Sequence, residues 1–369
     1  MKSVTKKSTN VIGAALFAAA MALPSSHSAF AEAAPERGIV SFKYLNYEDS
    51  QPDAKRIGIN ANSVTGLVPV AGEWSVGVTL TNDSVSGASP AYHTTNITHM
   101  TDLRRAVDLQ LTRYFSKGSV TFGTSYSKEN DYLSRSYSAQ GSLSTEDKNT
   151  TVTLGCSITN DDIFPAYFEG DDEKKQTYAG IIGVTKVLTK NDIVQLNVGF
   201  SRGSGYFSDP YKWFDSRPRE RNSTTILTRW NHHYDGTDGT SRYSYRFYTD
   251  SFSITAHTFS AEYVQPLSHE WVVTPELRFY SQTAANFYLP DPIEPSVDAI
   301  YYSGDQRLSA FGAITVGIKL AKRIAKEWLV DAKYENYEQR ANWSLAGGGD
   351  SGLAPFSARS IQLGVSREF

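Results

Sequence analysis

Charged residues recur in this chain at spacings that place them on one surface. Arg242, Arg246 and Asp250 are four apart. Glu276 and Arg278 are two apart, as are Asp331, Lys333 and Glu335. Side chains of an extended chain alternate between faces, so each set lines one side of its strand. Thr258, Ser260 and Glu262 add a further polar row. Acids and bases sharing one wall are the chemistry of ion selection in a pore. Alternatively, the same charges pair across strands and only neutralise a polar interior.

Residues 203–222 hold a second candidate. Tyr206, Phe207, Tyr211, Trp213 and Phe214 stand beside Arg217, Arg219 and Arg221. Aromatic faces with guanidinium groups could hold a sugar or an anion, narrow a passage, or meet lipopolysaccharide phosphates. The plainer role is a rigid cap held by Pro210 and Pro218. A hydrolytic site would need Asp250, Ser251, Ser253 and His257 within hydrogen-bond reach. Ser and Asp are also ordinary turn residues, and no enzymatic activity is expected. His232 and His233 are adjacent, so a strand would point them apart and away from a shared metal. The single Cys156 excludes an internal disulfide and a Cys-based zinc site. No metal or cofactor is indicated.

These residues need elements to position them, and the chain supplies candidate strands throughout. Residues 73–85 put Trp74, Val76, Val78 and Leu80 on one face and Ser75, Gly77, Thr79 and Thr81 on the other. Similar alternation predicts strands at 38–48, 57–68, 104–114, 119–127, 132–143, 150–159, 177–187 and 193–201. It continues at 223–232, 241–248, 255–265, 271–282, 307–320, 328–339 and 357–369. Short turns and long polar connections take turns between them. The longest Gly- and Pro-punctuated connection is expected at 202–222, with others at 86–102, 161–173, 283–305 and 341–355. Pro275 lies inside a strand pattern and should interrupt a ladder or mark a bulge.

The last stretch, SARSIQLGVSREF, carries Ile361, Leu363, Val365 and Phe369 on one face and ends on an aromatic residue. Such a strand suits a sheet that closes on itself with its outer face in lipid. It resembles the C-terminal signal that barrel-assembly machinery reads in outer-membrane proteins. Arg367 departs from that pattern, on the apolar face. At the other end come Lys2, Lys6 and Lys7, an apolar run at 11–23, and Ala29-Phe30-Ala31. Together they have the form of a cleaved secretory signal, residues 1–31, leaving 32–369 as the barrel. A mean hydropathy of −0.38 suits a barrel, in which alternate residues meet lipid. The net charge of −3 argues against nucleic acid as partner.

The expectation is an all-β, antiparallel transmembrane barrel of about sixteen strands, fourteen or eighteen being the neighbouring counts. Short turns would face the periplasm and most long loops the outside. A β-sandwich or propeller would explain neither the run of hairpins nor the two termini.

Several connecting strings resemble a family of bacterial outer-membrane proteins known as domain of unknown function 3570. They are DSVSGASP at 83–90, GSGYFSDPYK at 203–212, TRWNHH at 228–233, AHT at 256–258, YSGDQRLSAFG at 302–312 and GLAPF at 352–356. The resemblance implies an outer-membrane barrel and brings no substrate, reaction or catalytic residue. The residues themselves favour a porin-like channel for small polar solutes or ions. A closed scaffold that binds a partner through its loops is the alternative, and an outer-membrane hydrolase a lesser one. Outer-membrane lipid, lipopolysaccharide and the assembly machinery would be its surroundings. The oligomeric state is not legible.

Overall fold

The computed structural model describes residues 33–52, 54–90, 97–165, 172–210, 214–290, 293–345 and 347–369. The expected signal 1–31, Tyr211 and Trp213 lie outside the described residues, as does part of the acidic connection 161–173.

The wall begins with β1 (Ile39–Gln51), β2 (Ala54–Val70), β3 (Trp74–Pro90), β4 (Ile97–Phe115) and β5 (Gly118–Lys128). β6 (Tyr132–Ser144), β7 (Thr150–Ile163), β8 (Glu173–Val187) and β9 (Asp192–Gly205) follow. After the two-residue β10 (Asp215–Ser216) come β11 (Glu220–Tyr234), β12 (Gly239–Asp250), β13 (Thr255–Pro266) and β14 (Trp271–Gln282). The two-residue β15 (Tyr302–Ser303) precedes β16 (Phe311–Ala325), β17 (Trp328–Arg340) and β18 (Phe356–Glu368). Among the described residues, sixteen of these strands form one closed antiparallel barrel, while β10 and β15 pair with each other. β18 closes on β1 from Ile39 opposite Glu368 to Ser50 opposite Ser357. The backbone of Phe369 exchanges hydrogen bonds of 3.0 and 2.9 Å with Gly38 just beyond.

Closure leaves no sheet edge, and alternation then sorts the side chains. Leu80, Leu109, Leu154, Ile182, Leu277 and Leu363 stand exposed on the outer surface. So broad an apolar face on a sheet is a lipid-facing band. Cys156 is exposed on this face with Leu154. Near the short turns, basic groups lie over aromatic rings. Arg113 lies 5.2 and 5.0 Å from the Trp74 and Phe115 ring centres, and Lys322 lies 4.8 Å from Trp271. Arg367 lies 5.5 Å from Trp328 and 3.4 Å from Glu327, so its place on the apolar face is a rim position.

At the end that holds both termini, connections are two to five residues long. The β2–β3 bend takes positive φ at Ala71 (53°) and Gly72 (72°), a backbone that glycine adopts without strain. At the opposite end the expected lengths need correcting. The β1–β2, β5–β6 and β12–β13 connections are as short as the turns below. The expected 86–102 connection shrinks because β3 reaches Pro90 and β4 starts at Ile97. The 202–222 connection shrinks because Gly203 and Gly205 still belong to the β8–β9 ladder. The longest connection is instead residues 283–310. Pro275 keeps its register with Ile318 on β16, but the β13 ladder breaks beside it, between Glu262–Glu276 and Gln265–Val273. A residue without an N–H interrupts pairing on one side only.

Candidate functional site

Four connections at the outer end fold toward one another as a cap. Phe252, at the β12–β13 tip, is 1% exposed and packs with Ile254, Ala285, Phe287 and Leu308. Phe207 meets Phe252 edge-on at 6.0 Å, and Phe287 does so at 5.0 Å. Residues 206–219 are thereby joined to 283–310, and the β10–β15 ladder joins them again. Tyr288 donates to Asp350, which brings in the β17–β18 connection. Gln51 reaches Gln306 at 3.5 Å, so the cap also touches β1.

The same connections carry an ion network. Asp305 is 1% exposed and receives Arg217 Nη2 at 2.7 Å. Arg307 also contacts Asp305 and reaches Asp209. Arg217 Nε donates to Asp215 at 3.0 Å. Burial lowers the pKa of both guanidiniums, but the carboxylates outweigh it, Asp305 first, and hold them above their ordinary range. Two cations and three carboxylates thus tie residues 206–219 to residues 283–310.

The lumen wall holds the second arrangement. Lys333 Nζ stands 2.9 Å from Glu276 and 3.3 Å from Glu335. Arg278 Nη2 reaches Glu335 at 3.5 Å. Glu276 on β14 and Lys333 on β17 are separated by β16, and Gly317 leaves the space between them. A Cβ on Gly317 would stand 2.3 Å from Glu276 Oε1. Asp331 lies 3.6 Å from Lys319, and Arg242 lies 3.8 Å from Glu262. Arg246 is exposed toward the lumen, and among the described residues its side chain hydrogen-bonds only Thr258 Oγ1, at 3.5 Å.

The structure therefore brings Glu276, Arg278, Lys333 and Glu335 together, and it leaves Arg246 apart. Asp250 serves the cap. It accepts from Phe252 N and Ile254 N at 3.0 Å, from Tyr248, and from Arg221. Arg219 stands at the surface on Glu173, and Tyr206 is half-buried. His257 pairs with Tyr245 at 2.8 Å and is cross-strand to Phe247, on the opposite side of the wall from Asp250. His232 is held by Asp192 at 2.8 Å, and His233 by Thr240 at 3.2 Å. Sequence reasoning missed Asp209, Asp215, Asp305 and Arg307. Asp209, Asp305 and Arg307 do lie in the strings at 203–212 and 302–312 that carry the family resemblance, but nothing in the sequence pairs those two connections.

The profile of a family described as "Protein of unknown function (DUF3570)" matches residues 13–101 and 95–360. The chain belongs to this family. Among curated proteins no sequence matches. The DUF3570 barrel is similar in fold to a bacterial polysaccharide outer membrane secretin. That match has 7% identity, covers 90% of this chain and 98% of the other, and has a TM-score of 0.50. OccK2 (OpdF) of Pseudomonas aeruginosa, solved with glucuronate, matches at 8% identity, 90% and 96% coverage and a TM-score of 0.47. The siderophore receptor PirA of Pseudomonas aeruginosa matches at 11% identity, 83% and 56% coverage and a TM-score of 0.46. The DUF3570 chain spans about half the length of the PirA receptors it matches. At these identities the likeness is one of fold, that of outer-membrane barrels.

Proposed function

We propose that this protein is an outer-membrane channel for small polar solutes or ions, narrowed at its outer mouth by the cap. One observation carries the reading. Charged side chains facing the lumen remain partly wet: Arg278 is 42% exposed, Lys319 41%, Glu262 38% and Arg242 34%. A packed interior would bury such groups in neutral pairs. A water-filled passage leaves them partly solvated and able to select ions.

The cap supports a second reading, a closed barrel that binds a partner through its outer connections. Conductance of the folded barrel in a planar lipid bilayer separates the two. Stable current steps are the expected result. Insertion without current would remove the channel and leave the scaffold.

Export by a signal at 1–31, contact with lipopolysaccharide, and recognition of Ile361, Leu363, Val365 and Phe369 by assembly machinery belong to the same reading. It assigns no catalytic residue and no cofactor. Deleting Phe369 removes both backbone hydrogen bonds to Gly38. At about 1 kcal/mol each, their loss should lower the yield of folded barrel severalfold. Gel mobility before and after heating reads the folded fraction, and an unchanged yield would dismiss a seam role for Phe369.

A further inference from the structure

Asp102, Glu129 and Asp131 belong neither to the cap network nor to the lumen quartet. Asp102 lies at the outer end of β4, and the other two form the β5–β6 tip. One carboxylate oxygen from each lies within 4.8 Å of the others. Glu129 is only 8% exposed, and its Oε2 is buried with no hydrogen-bond partner among the described residues. Both carboxylate oxygens of Asp131 are likewise buried without a partner among the described residues. Asp102 is 7% exposed, and its Oδ1 accepts from Leu103 N at 2.7 Å and from Asn130 Nδ2 at 2.8 Å.

The surroundings favour a positive ligand. Nearby Asp83 is 2% exposed and engages Arg104 through three hydrogen bonds of 2.8–3.2 Å. That guanidinium is forked on a fourth carboxylate, and its charge also reaches Glu129. Buried carboxylates aimed at one another are stable only if protonated or bridged by a cation.

We infer that Asp102, Glu129 and Asp131 form a binding site for a hard divalent cation of the calcium class, clamping the β5–β6 tip to β4 at the outer mouth. Calcium takes carboxylate oxygens at about 2.3–2.6 Å in flexible geometry, so one ion fits among oxygens spread over 4.8 Å. The backbone is already set for it. Glu129 N donates to Tyr132 O, and Phe164 N to Asp131 O, both at 2.8 Å, which fixes the tip before any ion arrives. The unpartnered oxygens of Glu129 and Asp131 complete their coordination on the ion.

The test is calcium titration by calorimetry, with the barrel folded in detergent, stripped with a chelator and free of lipopolysaccharide, whose phosphates also bind calcium. The expected result is one saturable ion per barrel, with binding weakened at least about tenfold in both Glu129→Gln and Asp131→Asn. Thermal unfolding gives the second readout. Calcium should raise the unfolding temperature of the parent and leave that of Glu129→Gln unchanged. In chelator, Glu129→Gln should be at least as stable as the parent, because one buried like charge is gone. Absence of saturable binding, or binding unchanged in both variants, overturns the site. A parent indifferent to calcium, with Glu129→Gln stabilised, would instead identify carboxyls sharing protons.

Discussion

Asp305→Asn should unseat the cap. Asn keeps the size of Asp, and its side-chain oxygen can still accept from Arg307 N, as Asp305 does at 3.0 Å. What disappears is the charge facing Arg217 and Arg307. Asp305 is 1% exposed and the Arg217 side chain 10%, so water does not replace the lost partner. Removing one member of a buried ion network costs about 3–5 kcal/mol. That cost falls on docking of the cap, since none of these residues lies in a wall strand. The barrel should therefore remain closed and keep its heat-shifted gel mobility, while trypsin gains access to the Arg307–Leu308 bond, where Leu308 is 4% exposed in the parent. If the lumen conducts, the conductance should rise. Unchanged proteolysis would mean that the Phe252 cluster alone seats the cap. Proteolysis without any rise in current would place the narrowest point of the barrel below it.

The wall was legible in the sequence because its physics is local. Period-two alternation in residues 73–85 and 357–369 assigns faces before any partner is known, and those faces are the ones found. Lumen positions followed from the same rule, which is why Arg242 and Glu262 were both named and stand opposite each other on β12 and β13. Pairing beyond adjacent strands was not legible. Arg217 meets Asp305 across 88 positions, through connections that carry no periodicity. Asp250 read as a lumen charge, yet its oxygens serve the hairpin tip, because turn geometry and not face parity decides its partners. The acidic triad was hidden for a similar reason. Glu129 and Asp131 stand in a turn, where acids are unremarkable, and only the β4–β5 register brings Asp102 beside them.

The two lumen arrangements should respond differently to substitution, and the difference tests which of them meets permeating ions. Arg246 is exposed, so Arg246→Glu should leave stability nearly unchanged, as surface substitutions do, within about 0.5 kcal/mol. It reverses a charge on the lumen wall and should move the reversal potential in a salt gradient toward cation selectivity. Arg242→Ser should act in the same direction but less strongly, since Arg242 already lies 3.8 Å from Glu262. Lys333→Met is the contrasting case. Lys333, Glu276 and Glu335 have side chains 20%, 16% and 15% exposed. Losing the ammonium leaves two carboxylates facing each other with Arg278 as the remaining cation, and breaking such a cluster costs about 3–5 kcal/mol. This variant should lower the denaturant midpoint of the whole barrel, because Lys333 links β14 and β17 across Gly317. If Arg246→Glu leaves the reversal potential unchanged while Lys333→Met destabilises as expected, the wall charges hold the barrel together and do not select what passes through it.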